Sequence, residues 1–448
     1  MKSNITKVVA IAGFTLMASF AQAQTQTAPV RHKMSVQQAL DYADKNNVQV
    51  KNALLDILIQ KEANREIASA AYPQASLTGS FTDNLQLQTT LLPGEFMGQP
   101  PGTFVPVTFG TKYITTGAAD VSQLLFDGQV FIGLKARRTS MEWKTKSAEI
   151  TKETIKANVY KVYYQLVLSK TQIALIDANI ALIEKLRNDA EIMYDNGFVE
   201  RLDVDKNEVQ LTNLRTEKEK VVLSIANGYN GLKVLLGMPV KDELILTDTL
   251  SDDQIKANIL QDADFNYEDR KEFQYLQLSQ RLNMFNVKRH QYSKLPTLSA
   301  SFNYNKQKQS NDFRFDGDWF TANYIGARLS IPIFKGFANN ARINQAKLEV
   351  QKMDNQIENT KATIDNEIQT AKNSFLTAIA IMDYQKKNMS LAERVYNQTK
   401  KKYEVGTGSQ TEINTAQTDL KTAQTNYVSA LYDAIVARVD FLRAVGKL

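Results

Sequence analysis

The chain of 448 residues contains no cysteine. Disulfides, thiolate metal sites and cysteine nucleophiles are therefore excluded. Histidine is almost as scarce. His32 and His290 are the only two, which removes His-dependent triads and multi-histidine metal sites. Proline is rare and unevenly placed: Pro29, Pro73, Pro93, Pro100, Pro101, Pro106, Pro239, Pro296 and Pro332 leave residues 107–238, 240–295 and 333–448 without any. A proline inside a helix costs about 3 kcal/mol, so these blocks read as very long helices. A phosphate loop and a dinucleotide fingerprint are both missing. Carboxylates are spread among lysines in a pattern of surface pairing. No catalytic set, cofactor site or metal site is expected, and the chain does not read as an enzyme.

The first residues read as an address. Lys2 and Lys7 precede an apolar stretch from Val8 to Phe20, and Ala21-Gln22-Ala23 fits a small-x-small cleavage site. This predicts a Sec signal peptide over 1–23, cut before Gln24. With no cysteine to follow it, N-terminal lipidation is not expected. The remaining 425 residues carry 52 bases against 48 acids, a balance too even to imply nucleic acid. No continuous apolar run of about 18 residues follows, so no transmembrane helix is expected. An exported chain of this kind is periplasmic, released, or inserted as a β-barrel.

The sequence repeats weakly. Pro73-Gln74-Ala75-Ser76-Leu77 corresponds to Pro296-Thr297-Leu298-Ser299-Ala300 at an offset of 223. Leu125-Phe126-Asp127-Gly128 corresponds to Ile333-Phe334-Lys335-Gly336 at 208. Tyr194, Gly197, Asp203, Val204 and Gly237 correspond to Tyr403, Gly406, Glu412, Ile413 and Gly446 at 209. The shorter later offsets give the first half an insertion around Pro93–Pro106, which reads as a loop. The predicted units are a first repeat over 24–239, a linker over 240–264 and a second repeat over 265–448.

Each repeat opens with a helix. The first begins at the capping box Ser35-Val36-Gln37-Gln38 and runs to about Ala71; its counterpart spans about Tyr267 to Ser293. After the closing proline the period changes to 2. Ser76, Thr78, Ser80, Thr82, Asn84, Gln86 and Gln88 alternate with Ala75, Leu77, Phe81, Leu85 and Leu87. In the second repeat Leu298, Ala300, Phe302 and Tyr304 alternate with Thr297, Ser299, Ser301, Asn303 and Asn305. Strands are predicted at about 75–89, 113–126, 297–305 and 319–333. A soluble sheet with one wet face and a membrane barrel wall share this pattern. Aromatics near the strand ends (Phe81, Phe109, Tyr113, Tyr304, Trp319, Phe320, Tyr324) favour the barrel. Four strands cannot close one, since the smallest membrane barrels have about eight. Protomers must pool strands, and a trimer supplies twelve.

The long helix after Gly336 carries a seam at Ile343, Ala346, Val350, Met353, Ile357, Thr360 and Ile364. A second step of four to Ile368 is a stutter, after which Ala371, Phe375, Ala378, Met382, Gln385, Met389, Ala392, Tyr396, Thr399 and Tyr403 continue it. The first half offers a matching span from Gln129 to Asn196. Each long helix meets a glycine, Gly197 or Gly406, and turns into another helix. Glu412 closes a capping box with Ser409, which explains it plainly; placing Asp203 and Glu412 near the end of a tube explains it functionally.

Taken in order and twice over, these landmarks resemble the TolC-type outer membrane efflux proteins along essentially the whole mature chain. The pattern comprises helix, proline, two strands and two helices, with Phe126-Asp127-Gly128, Phe334-Lys335-Gly336 and Val405-Gly406-Thr407 at the joints. The resemblance implies a mainly α fold with a membrane β-barrel: a homotrimer whose 12-stranded barrel in the outer membrane lipid continues as a periplasmic α-helical barrel. It implies a passive exit duct for drugs, small toxic molecules or proteins, serving an inner-membrane pump through a periplasmic adaptor. Gly197, Phe198, Val199, Val405, Gly406 and Thr407 map to the adaptor-contacting tips. Asp203, Glu412 and Thr415 map to the entrance. Where the best-known member has an arginine and a second aspartate that help close the entrance, this chain has Gly408 and Thr415, so that lock is not carried over. Residues 240–264 map to the equatorial belt. The competing expectation is a non-conducting trimeric coiled-coil spacer or surface protein. The pump class and the cargo are not written in the sequence.

Overall fold

The computed structural model describes residues 30–250, 252–256, 265–314 and 316–448. The predicted signal peptide lies outside them. In chain order the elements are β1 (Arg31–Met34), α1 (Val36–Asn46), α2 (Val48–Ser69), β2 (Gln74–Asp83), β3 (Thr89–Pro93), β4 (Phe104–Thr108), β5 (Tyr113–Phe126), α3 (Gly128–Asp195), α4 (Arg201–Leu236), β6 (Glu243–Leu246), α5 (Asp252–Lys256), α6 (Lys271–Tyr292), β7 (Thr297–Ser310), β8 (Phe320–Ser330), α7 (Ala338–Glu404) and α8 (Gln410–Ala444). They fall into two compact units, one of residues up to 53 with 149–270 and 363–448, the other of 54–148 with 271–362.

The second unit holds one antiparallel four-stranded sheet in the order β2-β5-β7-β8. Its register reconciles the two opposite alternations of the sequence. Leu77 pairs with Ala119, which pairs with Tyr304; Val121 pairs with Phe302, which pairs with Ile325. Apolar positions of both repeats therefore share one face, although they are odd in β2 and even in β7; Phe320 and Tyr324 stand on the other. Much of the shared face has no cover in the protomer: Leu77 is 84% exposed and Ile325 83%, whereas Lys308 on the same face is buried. The other face carries Ser76, Thr78, Asp120, Asn303 and Arg328, and Asn303 Nδ2 donates to Asp120 Oδ1 at 2.6 Å. In the same unit Asn64 ties α2 to α3 by donating to the Arg137 carbonyl (3.0 Å) and accepting from Ser140 Oγ (3.0 Å). Trp143 stacks on Tyr275 of α6 and donates to Ser279 Oγ at 2.7 Å.

In the first unit, buried side chains form separate clusters. One joins β1, α1, the start of α2, α3, α4 and β6 around Val50, Val159, Tyr163, Leu232 and Leu236. Tyr163 is fully buried; its hydroxyl donates to the Met34 carbonyl at 2.9 Å, and burial pushes its pKa up to about 12. Strand β1 pairs in parallel with β6, so the segment ahead of α1 is tied to the one following α4. The seam of α7 is as the heptads predict: every traced position from Ile343 to Tyr403 is buried or half-buried, through the stutter at Ile364 and Ile368.

Several boundaries differ from the sequence expectations. The opening helix is two helices, because Asn47 leaves the helical region (φ −58°, ψ 132°) and caps the second. Its Oδ1 accepts from the N–H groups of Gln49 (2.8 Å) and Val50 (3.2 Å). The counterpart after Tyr267 is likewise broken, at Arg270, whose guanidinium donates to the Ala444 carbonyl at 2.9 Å. Strand β2 stops at Asp83 rather than near 89, where Asn84 turns to bond the Lys112 carbonyl. Strand β7 runs past 305 to Ser310, and β8 ends at Ser330, ahead of Pro332. The proline-rich loop contains a hairpin, β3 with β4. Finally, α3 contains a window apolar and long enough, by length and composition, to cross a membrane, despite having no continuous apolar run. A third of that window is buried, 33%, so most of its side chains reach the surface of the protomer.

Candidate functional site

The two long helices end alike. Gly197 (φ 77°) and Gly406 (φ 76°) adopt the left-handed conformation, which a residue without Cβ takes freely. At the first turn Gly197 N–H donates to Tyr194 O and Phe198 N–H to Met193 O, both at 2.9 Å; at the second, Gly406 N–H donates to Tyr403 O (3.0 Å) and Thr407 N–H to Lys402 O (2.9 Å). Carbonyls left over at a helix end are satisfied this way. The turns are thereby fixed while their apolar tips stay out: Phe198 is 81% exposed and Val405 72%. Thr407 is exposed and Val199 half-buried.

Asp203 stands in the first turn of α4 and pairs with Lys206 at 3.3 Å. Across from it is Tyr403, whose phenol is held above its usual pKa by burial and then by the charges of Asp203 and Asp189. Glu412 caps α8: its carboxylate accepts the Ser409 N–H (3.4 Å) and Ser409 Oγ accepts the Glu412 N–H (3.2 Å). Thr415 Oγ1 donates to the Thr411 carbonyl at 2.9 Å. Glu412 and Thr415 are both exposed. Asp203 is thus brought to Tyr403, while among the described residues Glu412 and Thr415 bond within α8 and its N-cap Ser409. The turn also has little room at Gly408, where a Cβ would stand 3.0 Å from Tyr403 N and 3.1 Å from Lys402 Cβ.

Sequence reasoning missed what joins these helices behind the tips. Gln410, Gln417 and Gln424 recur every seven residues on α8, alternating with Ile413, Leu420 and Tyr427. Gln410 Nε2 donates to Asn207 Oδ1 of α4 (3.0 Å); Asn207 has no exposed surface and donates in turn to the Leu186 carbonyl of α3. Asn179 of α3 donates to Gln424 Oε1 at 2.9 Å, and Lys421 pairs with Glu217. Polar residues at seam positions fix register and partner at some cost in stability. The seven-residue spacing was the signal available. Among the described residues no His, Asp or Glu cluster could hold a metal ion.

Tyr396 packs in the apolar cluster behind the tips with Ile183, Leu186, Leu214 and Ile413. Its hydroxyl is buried without a partner among the described residues, and burial pushes its pKa up to about 12. Removing an unsatisfied hydroxyl does not forfeit a bond, so Tyr396→Phe is expected to leave stability unchanged or raise it by up to ~1 kcal/mol. A phenol whose pKa is higher folded than unfolded contributes its full stability below the unfolded value of 10.0 and loses it as pH rises towards about 12. Melting curves across that window should fall less steeply for Tyr396→Phe than for the parent chain.

Residues 268–447 match the family described as Outer membrane efflux protein. The chain is 19% identical over 403 residues to the outer membrane protein TolC of Vibrio cholerae serotype O1, covering 88% of this chain and 87% of that protein. Its fold superposes on that of the CmeC outer membrane channel of Campylobacter jejuni with a TM-score of 0.71 at 16% identity, over 95% of this chain and 90% of the other. With CusC, a protein described as forming a transmembrane channel, the TM-score is 0.75 at 16% identity over 95% of each.

Proposed function

We propose that this member of the outer membrane efflux protein family is the passive exit duct of a tripartite efflux or type I secretion system, carrying drugs, small toxic molecules or proteins out through the outer membrane. One observation carries the reading: the register of β2-β5-β7-β8 gathers Leu77, Val121, Phe302 and Ile325 onto one largely uncovered face, although β2 and β7 alternate in opposite phase. A sheet in water would expose that face at a heavy cost, since burying apolar area is worth about 25 cal/mol per Å². Against acyl chains it costs nothing. The polar face then lines water.

The sheet is open, with β2 and β8 as its two edges. Each edge leaves backbone groups unpaired, which hydrocarbon does not tolerate. Three protomers joined β8 to β2 remove every edge and give twelve strands, the closure the family implies. In this reading the tips at Gly197–Val199 and Val405–Thr407 meet a periplasmic adaptor, which couples the duct to an inner-membrane pump. Asp203, Glu412 and Thr415 lie at the entrance. The signal peptide over 1–23 delivers the chain to the Sec route, without lipidation.

A ring of three Glu412 carboxylates at the entrance favours cations. Purified trimers in planar bilayers should conduct with a cation preference, and Glu412→Gln should reduce that preference while leaving the trimer intact. Trimers that insert yet never conduct, even with both tip turns loosened by substitution, would favour the non-conducting spacer instead.

A further inference from the structure

We infer that the β3–β4 hairpin of one protomer clasps its neighbour, docking on the rim of the adjacent copy at Trp319 and Phe320 where β8 begins; the inference rests on the trimeric closure proposed above.

The hairpin has the composition of an interface rather than of a surface loop. Between Asp83 and Lys112 there is one charged residue, Glu95, in a chain of which 23% is charged. Residues 84–111 would hold about six at the chain's average, and depletion of charge marks the centre of a protein–protein contact. What stands in their place is apolar and uncovered: Leu85 is 93% exposed, Phe96 81%, and Leu91, Phe104 and Phe109 are exposed as well. An uncovered patch of this kind signals a binding surface.

The hairpin is also alone. Among the described residues β3 and β4 pair only with each other, and an isolated two-stranded ribbon is marginal in water. Its tip is nevertheless built. Gly94 is buried, its N–H donates to the Thr103 carbonyl (2.7 Å), and a Cβ there would come within 2.1 Å of Thr103 Oγ1. Phe96 is held outward by a shaped turn.

Topology supplies the occupant. The hairpin is inserted between β2 and β5, so it leaves the sheet at its β2 edge, at the same end as the turn from β7 to β8. Joining β8 of one copy to β2 of the next sets the end of β2 beside the neighbour's Phe320. Phe320 pairs with Gln307 and stands on the polar face, where lipid does not reach, yet it is 65% exposed. An aromatic ring left facing water at a sheet end is the kind of surface a neighbouring chain covers. Phe313, equally exposed, packs with Phe81 (5.5 Å between ring centroids) and Tyr113 (5.7 Å) of its own chain. A hairpin that lacks charge and an aromatic rim that lacks cover meet at the same seam.

The absence of native cysteine makes the test clean. Chains carrying only Leu91→Cys and chains carrying only Phe320→Cys are co-expressed, and trimers are treated with a short bifunctional thiol reagent. A covalent dimer is expected in mixed trimers, and none in trimers of either single variant. As a second measurement, Leu91→Ser with Phe96→Ser should lower the temperature at which trimers dissociate in detergent, with conductance of the intact trimer unchanged. Conducting trimers that show neither the cross-link nor the lowered dissociation temperature overturn the inference and leave the duct standing. Quenching of a fluorophore at residue 91 by acyl-chain quenchers overturns it too, in favour of lipid as the cover. Chains that form no trimer at all count against the duct itself.

Discussion

Arginine in place of Ile325 is expected to cost about 2–4 kcal/mol of folding free energy in a bilayer, whereas arginine in place of Tyr324 costs far less. The two positions are adjacent on β8 and point to opposite faces. Ile325 is in the middle of the strand beside Phe302, on the face shared with Leu77 and Val121. A guanidinium there stands at the depth where acyl chains offer no hydrogen bond and where snorkelling reaches least. Tyr324 pairs with Asn303, which holds Asp120. A cation on that row faces water and lies near a carboxylate. Refolding titrations into phospholipid vesicles measure both. A free-standing water-soluble sheet would tolerate Ile325→Arg at least as well as Tyr324→Arg, since arginine on an exposed apolar face improves solvation. Equal effects of the two substitutions would remove the membrane reading.

The same pair of residues shows how far the sequence is legible. Alternation alone states that each strand has an apolar side, and the resemblance states that the sides agree. Neither states the pairing. Register depends on which backbone groups meet across strands, and a slip of one residue would have put Leu77 and Phe302 on opposite faces. The long helices were readable to within two residues because a seam is a property of local spacing. The stutter at Ile364 and Ile368 is written in the chain as two steps of four.

What escaped is non-local in each case. Asn47 reads as one more polar residue in a helical stretch. It breaks the helix because its Nδ2 donates to the Leu235 carbonyl at 2.6 Å, a partner 188 residues away. The glutamine row on α8 was visible as a seven-residue repeat, yet its meaning depended on Asn207 and Asn179 facing it from α4 and α3. The hairpin was masked by its prolines. Pro93 ends β3 and Pro106 lies within β4, an allowed place because a two-stranded ribbon is all edge. At the tips, glycine spacing placed both turns, but their bonds to Met193 and Lys402 follow from helix-end geometry rather than composition.

Gly237→Ala should be severely damaging for a single added methyl, with an expected loss of about 3–5 kcal/mol. Two costs combine. Gly237 ends α4 at φ 74°, and a side chain in the left-handed region costs about 1–2 kcal/mol. The Cβ would also stand 2.2 Å from the Asn46 carbonyl oxygen and 2.9 Å from Asn47 N. These are backbone atoms at the break between α1 and α2, and they yield only if the break moves. Moving it pulls Asn47 from the Leu235 carbonyl and from the N–H groups it caps, and a buried polar group left unpaired costs about 1–3 kcal/mol. Val50, Leu232 and Leu236, all fully buried, pack in the same cluster and would loosen with it. Gly197→Ala is the internal control. It has the same backbone angle, φ 77°, with nothing within 4 Å of the added methyl, so it should lose only the conformational part. Denaturation midpoints of the two variants separate the effects. If they fall equally, contact between the end of α4 and the α1–α2 break contributes nothing, and left-handed strain alone accounts for both.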